Sequence, residues 1–111
     1  MNKGGLKESA VLQQCLSFLC GHGFFVWRNN TGAYKDASGR FIRFGKKGSS
    51  DIIGMTKDGH ILCVECKREK GGVLSDAQAE FLARVSSCGG VAIVASSLDE
   101  LKAKLRENGV F

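Results

Sequence analysis

No apolar run in this sequence approaches the roughly 18 residues that a membrane-spanning helix needs. The longest candidates are Phe24 to Trp27 and Val91 to Ala95, so no membrane protein is expected. A secretory leader is not expected either, because Glu8, Gln13 and Gln14 interrupt the N-terminal apolar stretch and no small-residue cleavage pattern follows. The cytoplasm is the expected compartment, or the host cytoplasm if the gene is viral. At 111 residues the chain is short enough for one domain spanning 1–111, and it shows no internal repeat or low-complexity segment. Metal ligands of the zinc type are scarce. The five cysteines are an odd number, and His22 and His60 are the only histidines. Cys63 and Cys66 form a C-x-x-C, but Ile61 to Cys66 reads as one strand, in which positions three apart face opposite sides. A zinc knuckle would need a turn there and a second ligand pair, so zinc is not expected and the thiols are expected to be free and buried.

What the chain does have is enough apolar material, 43% of residues, to bury one core without metal or disulfide staples. It also has an uneven charge. The formal net charge is +5, and between Arg28 and Lys47 six basic residues stand against the single acid Asp36. A solvated basic face is the bland explanation. A polyanion is the natural partner for such a concentration, and nucleic acid outranks a membrane surface.

Hydrophobic spacing divides the chain further. Leu6 to Cys20 places Val11, Leu12, Cys15, Leu16 and Leu19 on one helical stripe, with Gly21 as the C-terminal stop. Phe24 to Asn29 is apolar on both faces and is expected as an internal strand. Asn30 to Arg40 is polar and rich in turn formers, which predicts a loop or a hairpin, and Phe41 to Phe44 is an optional short strand. Asp51 to Thr56 and His60 to Lys67 flank Lys57, Asp58 and Gly59 as a hairpin. Ser75 and Gln78 form a capping box that opens a helix through Phe81, Leu82 and Val85, closed by Gly89 and Gly90. Val91 to Ala95 is a buried strand, and Ser97 with Glu100 makes a second capping box for a last helix. The predicted class is α/β, a mixed central sheet flanked by helices, with one β-α-β crossover after the hairpin.

Polar residues in strands that ought to be buried are the informative anomalies: Asp51, Glu65 and Lys67. Glu65 and Lys67 are two apart and share a face. Whether Asp51 joins them depends on the hairpin register. A two-residue turn at Asp58 and Gly59 would set Asp51 opposite Cys66, pointing away from Glu65. A three-residue loop with Gly59 in a left-handed conformation would set it opposite Glu65. Two carboxylates that close repel, and a hard divalent cation such as Mg²⁺ or Mn²⁺ would compensate. Lys67 alone, in a purely structural ion cluster, is the alternative. Glu8 falls on the buried stripe of the first helix; it either favours the helix dipole or points at the same cation. Gln78 has its capping role, and its position near the end of the strand bearing Glu65 and Lys67 also suits water or phosphate.

An Asp at the head of one strand, E-x-K on the next and a helical Glu upstream resemble the PD-(D/E)XK nuclease superfamily. Arg28-Asn29-Asn30-Thr31-Gly32, Gly48 to Gly54 around the Asp, and Leu74-Ser75-Asp76-Ala77-Gln78 look like its VRR-NUC family, the virus-type replication-repair nucleases. The resemblance runs from Glu8 to about Leu101. It implies a restriction-endonuclease-like fold with an α-β-β-β-α-β core and metal-dependent phosphodiester hydrolysis. Asp51, Glu65 and the carbonyl of Cys66 would be the metal ligands, Lys67 would position the attacking water, Glu8 would support the metal through water, and Gln78 would act in the site. The proline of the superfamily's name is absent: Ser50 precedes Asp51.

The sequence thus predicts a Mg²⁺- or Mn²⁺-dependent DNA endonuclease acting on branched or flapped DNA in replication or repair, paired as a homodimer. Nucleic-acid contacts are expected at Arg28, Asn30, Thr31, Lys35, Arg43, Lys46 and Lys47, with no motif for reading a defined base sequence. The rivals are a non-catalytic nucleic-acid-binding module with a vestigial site and a structural or redox protein built on the cysteines.

Overall fold

Val11, Leu12, Cys15 and Leu19 recur at helical spacing and are the buried positions of α1 (Glu8–Gly21) in the computed structural model, which describes residues 4–111. The helix begins two residues later than its spacing predicts, because Lys7 is extended. It also runs one turn position further: Gly21 is helical, His22 caps it, and Gly23 takes the left-handed conformation with φ 81°. The chain continues through β1 (Phe25–Arg28), β2 (Gly32–Lys35), β3 (Phe41–Phe44), β4 (Ile52–Met55), β5 (Ile61–Cys66), α2 (Asp76–Ser87), β6 (Val91–Ala95) and α3 (Leu98–Glu107).

The central sheet has the order β1-β4-β5-β6, antiparallel except for the β5-β6 pair, which α2 connects in parallel. Strand alternation sorts the core into two layers. Ile52, Leu62, Val64, Cys66 and Ile93 face α1 and α3, where Leu101 and Leu105 close the larger cluster. Cys63, Ala92 and Val94 face α2 and pack on Leu82 and Val85. Each fully buried Leu or Ile stabilises the fold by roughly 1.5–3 kcal/mol.

One expectation about strands needs correction. β1 is an edge strand, not an internal one. Among the described residues it pairs only with β4, and α2 packs on β5 and β6, so Phe25 and Trp27 stay 66% and 48% exposed. The Phe41 to Phe44 strand does not enter the central sheet. It pairs with β2 as a separate antiparallel ribbon, so of the loop and hairpin readings of Asn30 to Arg40 the hairpin holds, with its second strand at Phe41 to Phe44. The ribbon's turn is tied by Asp36, which accepts the N–H groups of Ser38 and Arg40 at 2.9 Å each.

α2 opens with the predicted reciprocal capping box of Ser75 and Gln78. The second box is incomplete. Ser97 accepts the Glu100 N–H, but the Glu100 carboxylate reaches back to the N–H of Ser96, one residue before the cap. No helix of the described residues is long and apolar enough to cross a membrane.

Candidate functional site

The β4-β5 hairpin has the register set by a three-residue loop: Ile52 opposes Val64, and Met55 opposes Ile61. Gly59 takes φ 84°, Thr56 N–H donates to the His60 carbonyl at 2.8 Å, and Gly59 N–H returns to the Thr56 carbonyl. One step before Ile52, Asp51 therefore comes level with Glu65 on the α2 side of the sheet. Asp51 is anchored there, since its Oδ2 accepts the N–H of Cys66 at 2.8 Å.

α2 and α1 bring the remaining groups. Gln78, in the first turn of α2, donates through Nε2 to Glu65 Oε1 at 2.7 Å and accepts through Oε1 from Lys67 Nζ at 2.9 Å. The same Oε1 accepts the Ser75 N–H, so one side chain both caps the helix and spans the site. Lys67 Nζ lies 3.6 Å from Glu65 Oε1 and 3.7 Å from Glu8 Oε1. Glu8 is not buried with the α1 stripe as its spacing predicts; at the first helical residue its side chain is 53% exposed and turns toward Lys67. Carboxylate oxygens of Glu8, Asp51 and Glu65 all lie within 4.8 Å of one another.

Glu65 is the electrostatic centre. It is 1% exposed, its pKa is pushed up to about 7, and burial is the main cause, with the Asp51 charge next and Lys67 opposing both. Lys67 and Gln78 both engage Oε1, while Oε2 is buried with no hydrogen-bond partner among the described residues. An orphaned, buried carboxylate oxygen beside two further acids fits a hard cation. Glu8 and Lys67, with Gly72 and Val73, help line a cleft of about 480 Å³.

The predicted nucleic-acid residues spread over one continuous segment. Arg28 ends β1, Asn30 and Thr31 lead into the ribbon, Lys35 and Arg43 lie on its strands, and Lys46 and Lys47 follow it; all are exposed. Lys35 and Arg43 share one ribbon face, since Ala33 opposes Arg43 and Lys35 opposes Phe41.

The thiols do not form a redox pair at Cys63 and Cys66, which belong to opposite core layers. Burial pushes Cys63 up to about 11, and the Cys66 thiol is raised by its hydrogen bond with Cys15 and by burial. The expectation that all five thiols are buried fails for Cys20 and Cys88, which are exposed.

Two positioning contacts escaped the sequence reading. Asn29 donates through Nδ2 to Ser49 Oγ at 2.7 Å and to the Ser50 carbonyl at 3.0 Å, and its N–H donates to the Asp51 carbonyl. It thereby closes the loop that delivers Asp51; a polar residue at a strand end beside a serine pair was the available signal. Glu69 Oε1 accepts the Leu6 N–H at 3.1 Å while its own N–H donates to the Leu6 carbonyl, which ties the start of α1, and so Glu8, to the end of β5. Gly48 packs on the first turn of α2, where a Cβ would meet the Ala77 carbonyl oxygen at 2.5 Å. Compared with protein families, curated proteins and solved structures, the chain matches none.

Proposed function

We propose that the protein is a divalent-metal-dependent nuclease of restriction-endonuclease-like fold that hydrolyses phosphodiester bonds in branched or flapped DNA. The observation that carries this reading is Glu65: a buried carboxylate with an unpartnered oxygen, gathered with Asp51 and Glu8 and flanked by a buried ammonium. The element order α1, β1, β4, β5, α2, β6, with the ribbon inserted, agrees with the α-β-β-β-α-β core that the VRR-NUC resemblance implies. A purely structural ion cluster accounts for the site less well, because Lys67 approaches Glu65 at the oxygen Gln78 already occupies and leaves the other unsatisfied.

In this reading Asp51, Glu65 and the Cys66 carbonyl hold Mg²⁺ or Mn²⁺, with Glu8 supporting from the solvent side. The cation, when bound, supplies a lowered water pKa and positive charge for the phosphoryl oxygens. The chain's own residues do the rest. Gln78 holds the Lys67 ammonium beside the carboxylates at a fixed angle, where it orients water and stabilises charge developing on the phosphate. The exposed cations from Arg28 to Lys47 hold the DNA backbone without reading sequence. The uncovered apolar face of Phe25, Trp27, Met55 and Ile61 supports a homodimer.

The test is incubation of labelled flaps, Y-forks, four-way junctions and plain duplexes with Mg²⁺ or Mn²⁺. Cleavage is expected to require the cation and to disappear in Asp51→Ala and Glu65→Ala while both variants stay folded. Full activity in EDTA, or in either folded variant, defeats the assignment. DNA binding without any cleavage would favour the vestigial binding module.

A further inference from the structure

The charge of this molecule is carried by one projection. The ten basic residues outside Arg28 to Lys47 are balanced by the ten acidic residues outside it, so the net +5 resides in the β2-β3 ribbon and its two roots. Neither ribbon strand is hydrogen-bonded to the central sheet. The ribbon is inserted between β1 and β4, and its two ends meet at the Asn29 contacts with Ser49, Ser50 and Asp51. The roots of the ribbon are therefore tied to the loop that carries Asp51.

Its two faces differ. Strand pairing sets Gly32 opposite Phe44 and Tyr34 opposite Ile42 on one face. Gly32 leaves room for the Phe44 ring to lie across the strand, since a Cβ there would meet Phe44 Cζ at 2.7 Å. Tyr34 and Phe44 stand with ring centroids 6.5 Å apart and are 54% and 47% exposed. The other face carries Lys35 and Arg43, with the Lys35 ammonium 5.8 Å from the Phe41 ring centre. A ribbon that reads duplex grooves needs hydrogen-bonding side chains toward the base edges. Aromatic rings beside cations suit unpaired bases instead, whose π faces are free to stack while the backbone is held electrostatically.

We infer that the β2-β3 ribbon is an arm that grips unpaired nucleotides, stacking bases on Tyr34 and Phe44, and so directs a strand leaving a branch toward the carboxylate site. This rests on the nucleic-acid reading above, and its test needs no cleavage. The full chain in EDTA is titrated into fluorescein-labelled oligothymidylate of about 20 nucleotides and into a blunt duplex of equal length. Tyr34→Ala with Phe44→Ala is expected to weaken single-strand binding tenfold or more and duplex binding less than twofold. Tyr34→Leu with Phe44→Leu preserves the apolar surface and is expected to fail equally. Lys35→Ala with Arg43→Ala weakens both ligands and lowers the salt dependence.

Equal losses on both ligands in the aromatic variants, no loss on either, or full rescue by leucine would overturn the arm. So would a change in mass by light scattering with single-strand affinity unchanged, which would make the aromatic face an interface between copies. A wild-type chain that binds neither oligonucleotide would defeat the nucleic-acid reading as well. Wild-type binding with no cleavage of any substrate in Mg²⁺ would defeat only the nuclease assignment.

Discussion

Gln78 Nε2 donates to Glu65 Oε1 at 2.7 Å, so a helix-capping side chain also fixes the most buried acid of the molecule. The first turn of α2 and the end of β5 are thereby one unit, and damage to the cap is damage to the site.

Gln78→Leu is expected to remove the reciprocal half of the capping box and lower stability by about 1 kcal/mol. It also frees Lys67 from its 2.9 Å partner. Single-turnover cleavage should fall tenfold or more while DNA affinity holds. Denaturant melts and single-turnover rates on one preparation check both halves; a drop in stability alone would leave Gln78 a cap and nothing else.

Lys67→Met should lose turnover far more than affinity, because in the proposed mechanism its ammonium would act on the reacting groups and not on the DNA backbone. The neutral side chain keeps the packing of a residue that is 9% exposed. Parallel losses in affinity and in rate at saturating DNA would contradict that role.

Glu65 sets a pH dependence. Its pKa in the folded chain is pushed to about 7, above the ordinary carboxylate value of 4.5. The metal-free fold is therefore stabilised with Glu65 protonated, an effect complete below about pH 4.5 and lost as pH rises through 7. Glu65→Gln should raise the metal-free melting stability at pH 8 by about 2–3 kcal/mol. Cation binding has the opposite sign, since it needs the ionised acid: Mn²⁺ affinity should increase as pH passes 7. Melting curves with and without Mn²⁺ across this range check both, and a metal-free stability independent of Glu65 would refute the linkage.

Two glycines of the hairpin should respond differently. Gly59 has φ 84° with open space around the position of a Cβ, so Gly59→Val meets backbone strain alone, about 1–2 kcal/mol, or slips the register. Gly54→Ala places its methyl group onto the Phe25 carbonyl oxygen of the neighbouring strand and should be the more damaging change. Thermal melts rank the two, and a register slip in Gly59→Val would appear as lost Mn²⁺ binding.

Neutralising Arg43, Lys46 and Lys47 together should flatten the slope of log affinity against log salt by between about one and three, according to how many of the three contact phosphate. Binding titrations at several salt concentrations measure it; an unchanged slope would move the DNA face elsewhere.

Much of this was legible because it is local. The α1 stripe, the Ser75 cap and the Gly59 loop follow from spacing and turn chemistry within a few residues, and Glu65 and Lys67 share a face by strand alternation alone. Asp51 was legible only as a choice between two registers. The placement of β1 at the sheet edge, the separation of the ribbon from the sheet, and the half-exposed Glu8 were not legible. Each depends on which distant surface covers a segment, and hydrophobicity states only that a surface is to be covered. The same limit applies to Asn29 and Glu69, whose partners lie 20 and 63 residues away. The sequence by itself determined most of the elements, the Ser75 cap and the shared face of Glu65 and Lys67. Tertiary structure alone decided that Glu8, Asp51 and Glu65, from three segments, bring carboxylate oxygens within 4.8 Å of one another, because only chain folding sets distances between residues far apart in sequence.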